Sequence, residues 1–114
     1  MTAADCRLMV MGLTGIVLHD LIGVMEESIA NLHVSTAKTE ADAIAQLAEA
    51  QSWTYAFLNL GPNAFKESAL SKILSDLGAK VILLGNTAED AAETSPYPVL
   101  VRPFIADDIL RLLG

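Results

Sequence analysis

A three-layer α/β/α fold, with five parallel strands sandwiched between helices, is predicted by three observations. Short apolar runs alternate five times with helix-like segments across the 114 residues. The inner runs are apolar without interruption, and no linker, repeat or low-complexity stretch divides the pattern. Alternation of this kind implies right-handed crossovers and a parallel sheet, whose inner strands are covered on both faces and so have no polar side. The length is that of one ordinary domain, and residues 1–114 are read as a single unit.

The first strand is predicted over Arg7–Met11, ended by Gly12. Thr14 or Gly15 then opens a helix. At 100° per residue, Val17, Leu18, Leu21, Ile22, Val24 and Met25 gather on one face, with His19, Asp20, Gly23, Glu26 and Glu27 opposite. That apolar arc spans about 160°, wide for a helix with one buried side, and Ile16 is apolar outside it. Asn31–Thr36 alternates Leu32, Val34 and Thr36 with His33 and Ser35, the mark of a half-buried strand nearer a sheet edge. Thr39 is placed to cap the second helix, whose thin stripe is Ala41, Ile44, Leu47 and Ala48.

Trp53–Leu60 forms the third apolar run, and Gly61-Pro62-Asn63 reads as a turn. Phe65, Ala69, Leu70, Ile73, Leu74 and Leu77 recur at helical spacing as far as Gly78, a residue suited to end a helix in the left-handed conformation. Val81–Leu84 is the fourth strand. Asn86–Ser95 has no apolar side chain larger than alanine, so a helix there has little to bury and is expected to be short or mobile. Val99–Val101 is the fifth strand, and Ile105–Leu113 the last helix, with Ile109, Leu110, Leu112 and Leu113 as its apolar face.

The composition, 53% hydrophobic and 18% charged, excludes a disordered chain. Seven basic residues, scattered singly, against fourteen acidic ones give a charge of −7. A polyanion needs clustered cations, so neither nucleic acid nor an anionic membrane is an expected partner. Cys6 is the only cysteine, which excludes an internal disulfide and a multi-cysteine metal site. Leu8–Met25 is apolar, but Thr14-Gly15 and His19-Asp20 interrupt it, so a strand followed by a helix explains it better than a membrane span. No cationic start precedes it, and a cytoplasmic location is the expectation. His19 and His33 have no second ligand at metal spacing and are read as exposed bystanders.

In a sheet of this type ligands sit beyond the carboxyl ends of the strands, which singles out Gly12, Leu13, Asn59, Gly85, Asn86 and Arg102. The last of these opens Arg102-Pro103-Phe104, between the final strand and the final helix. With this segment and the five-unit alternation, the chain resembles a response-regulator receiver domain over essentially its whole length. The resemblance implies a flavodoxin-like fold with strand order 2-1-3-4-5. It also implies two acidic residues after the first strand, a phosphorylatable aspartate after the third, a Thr or Ser after the fourth and a lysine before the proline.

At those places stand Gly12 and Leu13, Asn59, Gly85 and Arg102. A magnesium site lacks its carboxylates, an amide cannot form an acyl phosphate, and only the cation remains. Thr87 is the nearest hydroxyl after the fourth strand, Val99 stands where the family keeps an aromatic switch residue, and Asp20 is the nearest acid but too far along its helix.

The expected role is therefore that of a degenerate receiver, a pseudo-receiver in two-component or related signalling that acts by protein contact. It is expected to need no catalysis, metal or cofactor. The partner classes implied are a histidine kinase, a phosphotransfer protein, an output protein or a second copy of the chain. Two alternatives stand beside it: a small-anion or metabolite sensor built on Arg102 and Asn59, and an atypical phosphorylated receiver. More locally, Asn59 reads either as a permanent unphosphorylated mimic or as a turn residue bonded to backbone. Arg102 reads either as an anion site or as the partner of a surface acid.

Overall fold

The computed structural model describes residues 6–49 and 52–113, and the remaining positions of the 1–114 span lie outside the described residues. The strands are β1 (Cys6–Met11), β2 (Leu32–Ala37), β3 (Tyr55–Leu58), β4 (Lys80–Leu84) and β5 (Val99–Leu100). The helices are α1 (Gly15–Ser28), α2 (Glu40–Leu47), α3 (Pro62–Glu67), α4 (Ala69–Leu77), α5 (Asn86–Asp90) and α6 (Ala106–Leu113). All strand pairs are parallel, in the order β2-β1-β3-β4-β5. The fold is the flavodoxin-like α/β/α sandwich.

Side-chain alternation in the central strands builds two cores, one on each face of the sheet. Leu8 and Val10 of β1 join Phe57, Ile82, Leu84 and Leu100 on one face, where Leu21 and Met25 of α1 and Ile109 of α6 cover them. Met9 and Met11 join Ala56, Leu58 and Leu83 on the other, under Ala43 and Leu47 of α2, Phe65 of α3, Leu70 and Leu74 of α4 and Ala88 of α5. The register Leu8↔Tyr55 through Met11↔Leu58 brings the ends of β1 and β3 level, so the loops that follow them meet. As the sequence indicated, β2 is an edge strand with His33 exposed, but the expected alternation ends at Val34: Ser35 is half-buried and Thr36 exposed.

The fifth strand stops at Leu100, one residue short of the expected Val101, and four further local features differ from the sequence expectation. Cys6 begins β1 as a buried thiol instead of preceding the strand. The third strand is shorter than Trp53–Leu60, because Trp53 turns its indole N–H to the carbonyl of Leu47 at 3.1 Å and Leu60 closes a turn on Leu58. In α2 the buried alanine is Ala43, while Ala41 and Ala48 are exposed.

The fourth difference is that the segment from Phe65 to Leu77 is two helices. Pro62 starts the first, its φ already suited to a first helical position. Ser68 then becomes extended (φ −85°, ψ 156°) and its hydroxyl accepts the Leu70 N–H at 3.1 Å. Helical spacing of apolar residues continues across that break, which is why periodicity alone did not show it. Gly78 (φ 75°) ends α4 in the left-handed conformation as expected. Among the described residues no helix is long and apolar enough to cross a membrane.

Because Ser68 satisfies an otherwise unpaired helix donor, Ser68→Ala is expected to lower the unfolding free energy by about 1 kcal/mol in urea melts. Ser68→Asp, which keeps an acceptor there, is expected to retain most of it.

Candidate functional site

The carboxyl ends of β1, β3 and β4 and the second residue after β5 bring Gly12, Leu13, Asn59, Gly85 and Arg102 around one small pocket of about 170 Å³, with Thr14, Val17 and Leu84 completing its wall. Asn59 is its centre. The Asn59 backbone N–H donates to the Met11 carbonyl at 3.0 Å, extending the β1–β3 ladder by one bond. The side-chain Nδ2 then donates to the Gly12 carbonyl at 3.0 Å. This is the backbone-closing role that asparagine commonly plays at turns.

The two glycines are explained by that side chain. A Cβ at Gly12 would lie 2.9 Å from the Asn59 Cβ, and one at Gly85 would lie 2.9 Å from the Asn59 Cγ and overlap its Oδ1. Both also have positive φ, +80° at Gly12 and +99° at Gly85. The Gly85 conformation (ψ 173°) lies in a region essentially reserved for glycine. Gly12 after β1 and Gly85 after β4 are thus two sides of one slot, occupied by the amide of Asn59. Thr87 does not restore the hydroxyl: its methyl is set against Gly61, and it is not among the pocket-lining residues. Asp20 is also outside, in a groove between α1 and the start of α6.

Arg102 lies at the pocket rim with its charge engaged. Its Nε donates to Glu89 Oε2 at 2.7 Å, and its Nη2 to Glu89 Oε1 at 3.3 Å and to Asn86 Oδ1. The Arg102 backbone N–H adds a bond to Glu89 Oε2 at 3.0 Å. The side chains are 41% and 20% exposed, so water screens the pair and its strength comes from geometry more than from burial. Hydrogen bonds from the Arg102 side chain and then its backbone hold the Glu89 carboxyl below its usual range, and the same pairing raises the guanidinium pKa.

Asn86, just past the end of β4, is a site residue that the sequence reading singled out, whereas Glu89 is one that it did not. They sit in the short α5 segment, whose lack of apolar side chains drew attention to what it does not bury. The Arg102–Pro103 peptide is cis, and Phe104 packs half-buried on the α1–α6 core. Among the described residues no three His, Cys, Asp or Glu side chains converge as a metal site. No family model matches the chain, and neither a curated protein nor a solved structure matches it.

Two outcomes test this geometry. Gly85→Ala is expected to destabilise by about 2–4 kcal/mol through backbone strain and collision. Removing the obstructing amide in Gly85→Ala/Asn59→Ala should recover about 1 kcal/mol or more in a double-mutant cycle. Glu89, with its folded pKa depressed, contributes stability that is present above its unfolded value near 4.5. That contribution is lost as pH falls through the lower folded value, so Glu89→Gln should flatten the acid limb of a stability profile.

Proposed function

We propose that this domain is a receiver-like signalling module that operates by protein contact and without phosphorylation. The observation that carries this reading is the Asn59 slot. At the position where the resembled family keeps its phosphoacceptor, an amide is hydrogen-bonded to Gly12 and enclosed by Gly85. The pocket lining contains no carboxylate to bind magnesium, and its only cation is engaged by Glu89. Support for the receiver resemblance comes from the sheet order and from the placement of Arg102-Pro103-Phe104 between β5 and α6.

The anion-sensor reading draws less support. Arg102 and Asn59 do share the pocket, but Arg102 commits its Nε and Nη2 to Glu89 and Asn86, and Asn59 commits its Nδ2 to the Gly12 carbonyl. An anion seeking the Nε–Nη2 edge of the guanidinium would have to displace a carboxylate already held there. An atypical phosphorylated receiver would need an acid that this pocket lacks.

The test is amide NMR during addition of magnesium with beryllium fluoride, and separately with acetyl phosphate. Gly12, Asn59 and Gly85 are expected not to shift. Asn59→Asp is expected to remain equally silent, because restoring one carboxylate does not rebuild the acidic partners absent at Gly12 and Leu13. Magnesium-dependent shifts at these amides in the unaltered protein would overturn the reading.

A further inference from the structure

The two edges of the sheet are built differently. At one, β5 is two residues long and stands between Pro98 and Pro103, neither of which has a backbone N–H to offer a further strand. At the other, β2 runs six residues from Leu32 to Ala37 in unbroken register with β1, and it holds no proline, bulge, Lys, Arg, Asp or Glu. Only the β5 edge carries the devices that keep a strand from pairing with another chain.

The bonds to β1 fix which way the β2 backbone faces. The Cys6 N–H donates to the Asn31 carbonyl at 3.1 Å and the Gly12 N–H to the Ala37 carbonyl at 2.9 Å, so the odd-numbered residues of this stretch turn their peptide groups inward. Successive residues alternate, so Leu32, Val34 and Thr36 turn theirs outward. From α2, Gln46 Nε2 reaches the Thr36 carbonyl at 2.7 Å, which agrees with that direction. Among the described residues nothing accepts from the N–H groups of Leu32, Val34 and Thr36, and nothing donates to the Leu32 and Val34 carbonyls.

Side chains extend the pattern. Leu32 and Val34 lie on the α1 face of the sheet and are only half-buried. Because α1 packs over β2 and α6 over β5, the flank of α1 turned away from α6 lies toward this edge, and it carries Leu18 and Ile22 one turn apart. Ile22 is half-buried and is packed into neither core. An apolar row of Ile22, Leu32 and Val34 therefore borders the open backbone.

Self-complementarity identifies the occupant. A two-fold axis through Val34, normal to the sheet, sets two β2 strands antiparallel, with Val34 opposite Val34 and Leu32 opposite Thr36 of the other copy. In that register every residue placed opposite another outward-facing residue faces outward itself, so N–H and C=O groups are exchanged in pairs. A slip of one residue would set outward groups against inward ones. The Thr36 carbonyl keeps a second lone pair beside Gln46. The same axis brings the apolar row against its own copy, as an isologous contact requires.

We propose that β2 pairs with β2 of a second copy about a two-fold axis at Val34, joining two sheets into one. This rests on the protein-contact reading above and names a second copy as the partner.

The test is sedimentation velocity of the 114-residue chain from about 10 µM to about 1 mM, with amide hydrogen exchange at both ends of the range. His33 lies within the strand, Lys38, Glu40, Asp42 and Glu49 follow it on the α2 side, and Glu26 ends α1 on the other, so about 0.3 M salt is used to screen these charges. A shift from monomer to dimer with concentration is expected. In the dimer the amides of Leu32, Val34 and Thr36 should exchange about tenfold more slowly or better, while His33 and Ser35, whose N–H groups face β1, change little.

Val34→Lys and Val34→Glu should each weaken association by about tenfold or more, because like charges then stand opposite one another, and mixing the two variants should restore it. The outward Val34 N–H takes no part in the sheet of the single chain, so Val34→Pro should keep the fold and lose the dimer.

A monomer throughout the range, a dimer in which the three outward amides exchange at unchanged rates, or a mixture of folded charged variants no better than either alone would overturn the β2 pairing. If a charged variant does not fold, the exchange pattern of the unaltered chain decides. Magnesium-dependent shifts at Asn59 would overturn the phosphorylation-independent reading without altering the β2 result, so the two failures are distinguishable.

Discussion

Burial of β1, β3 and β4 on both faces is the constraint from which the rest of the domain follows, because a parallel sheet this small must be covered by helices on each side. Leu8, Met9, Val10 and Met11 alternate between two cores, and Phe57, Leu58, Ile82, Leu83 and Leu84 continue both layers into β3 and β4. Covering both faces forces each crossover to carry a helix. All the strands then run in one direction, so their carboxyl ends and the loops after them collect along one edge. The pocket around Asn59 is a consequence of that geometry before it is a consequence of any functional residue.

What fills the pocket is a matter of volume more than of charge. Asn59 lies between two glycines whose backbones adopt conformations that other residues rarely reach, and either Cβ would crowd it. Viewed singly, Gly12 and Gly85 are positions where oxygen-bearing side chains are missing. Taken together with Asn59 they form one steric unit, with the amide bonded to the backbone of the first glycine and pressed against the second. Of the two readings of Arg102, an anion site or the partner of a surface acid, the ion pair with Glu89 fits the second, and the charge at the site is balanced.

The strands were legible because burial on both faces leaves an unbroken apolar run, and Leu8–Met11 or Ile82–Leu84 has no competing explanation. The six residues after those strands were legible for the same reason, since strand ends locate them. The break at Ser68 was not, because Phe65, Leu70 and Leu74 keep helical spacing whether or not one residue between them leaves the helix. Nor was the Arg102–Glu89 pair. It joins residues 13 apart across a helix and a strand, and several acids in Asn86–Ser95 were equally plausible partners in the linear chain. The Asn59 slot was hidden for a related reason: steric complementarity among three loops has no periodicity to detect.

The same logic separates α1 from the pocket it borders. Inside the pocket every departure from ordinary residue choice has an internal cause: Gly12 and Gly85 make room for Asn59, and Glu89 answers Arg102. Along α1 the departures have none. Gly23 makes room for nothing in the chain, Ile16 is left in water, and Glu26 and Glu27 oppose the helix dipole without an ion pair among the described residues. Local choices that weaken a free domain without internal compensation are the places where compensation from outside is to be sought. The strand-end pocket is internally complete, whereas the α1–α6 face is not.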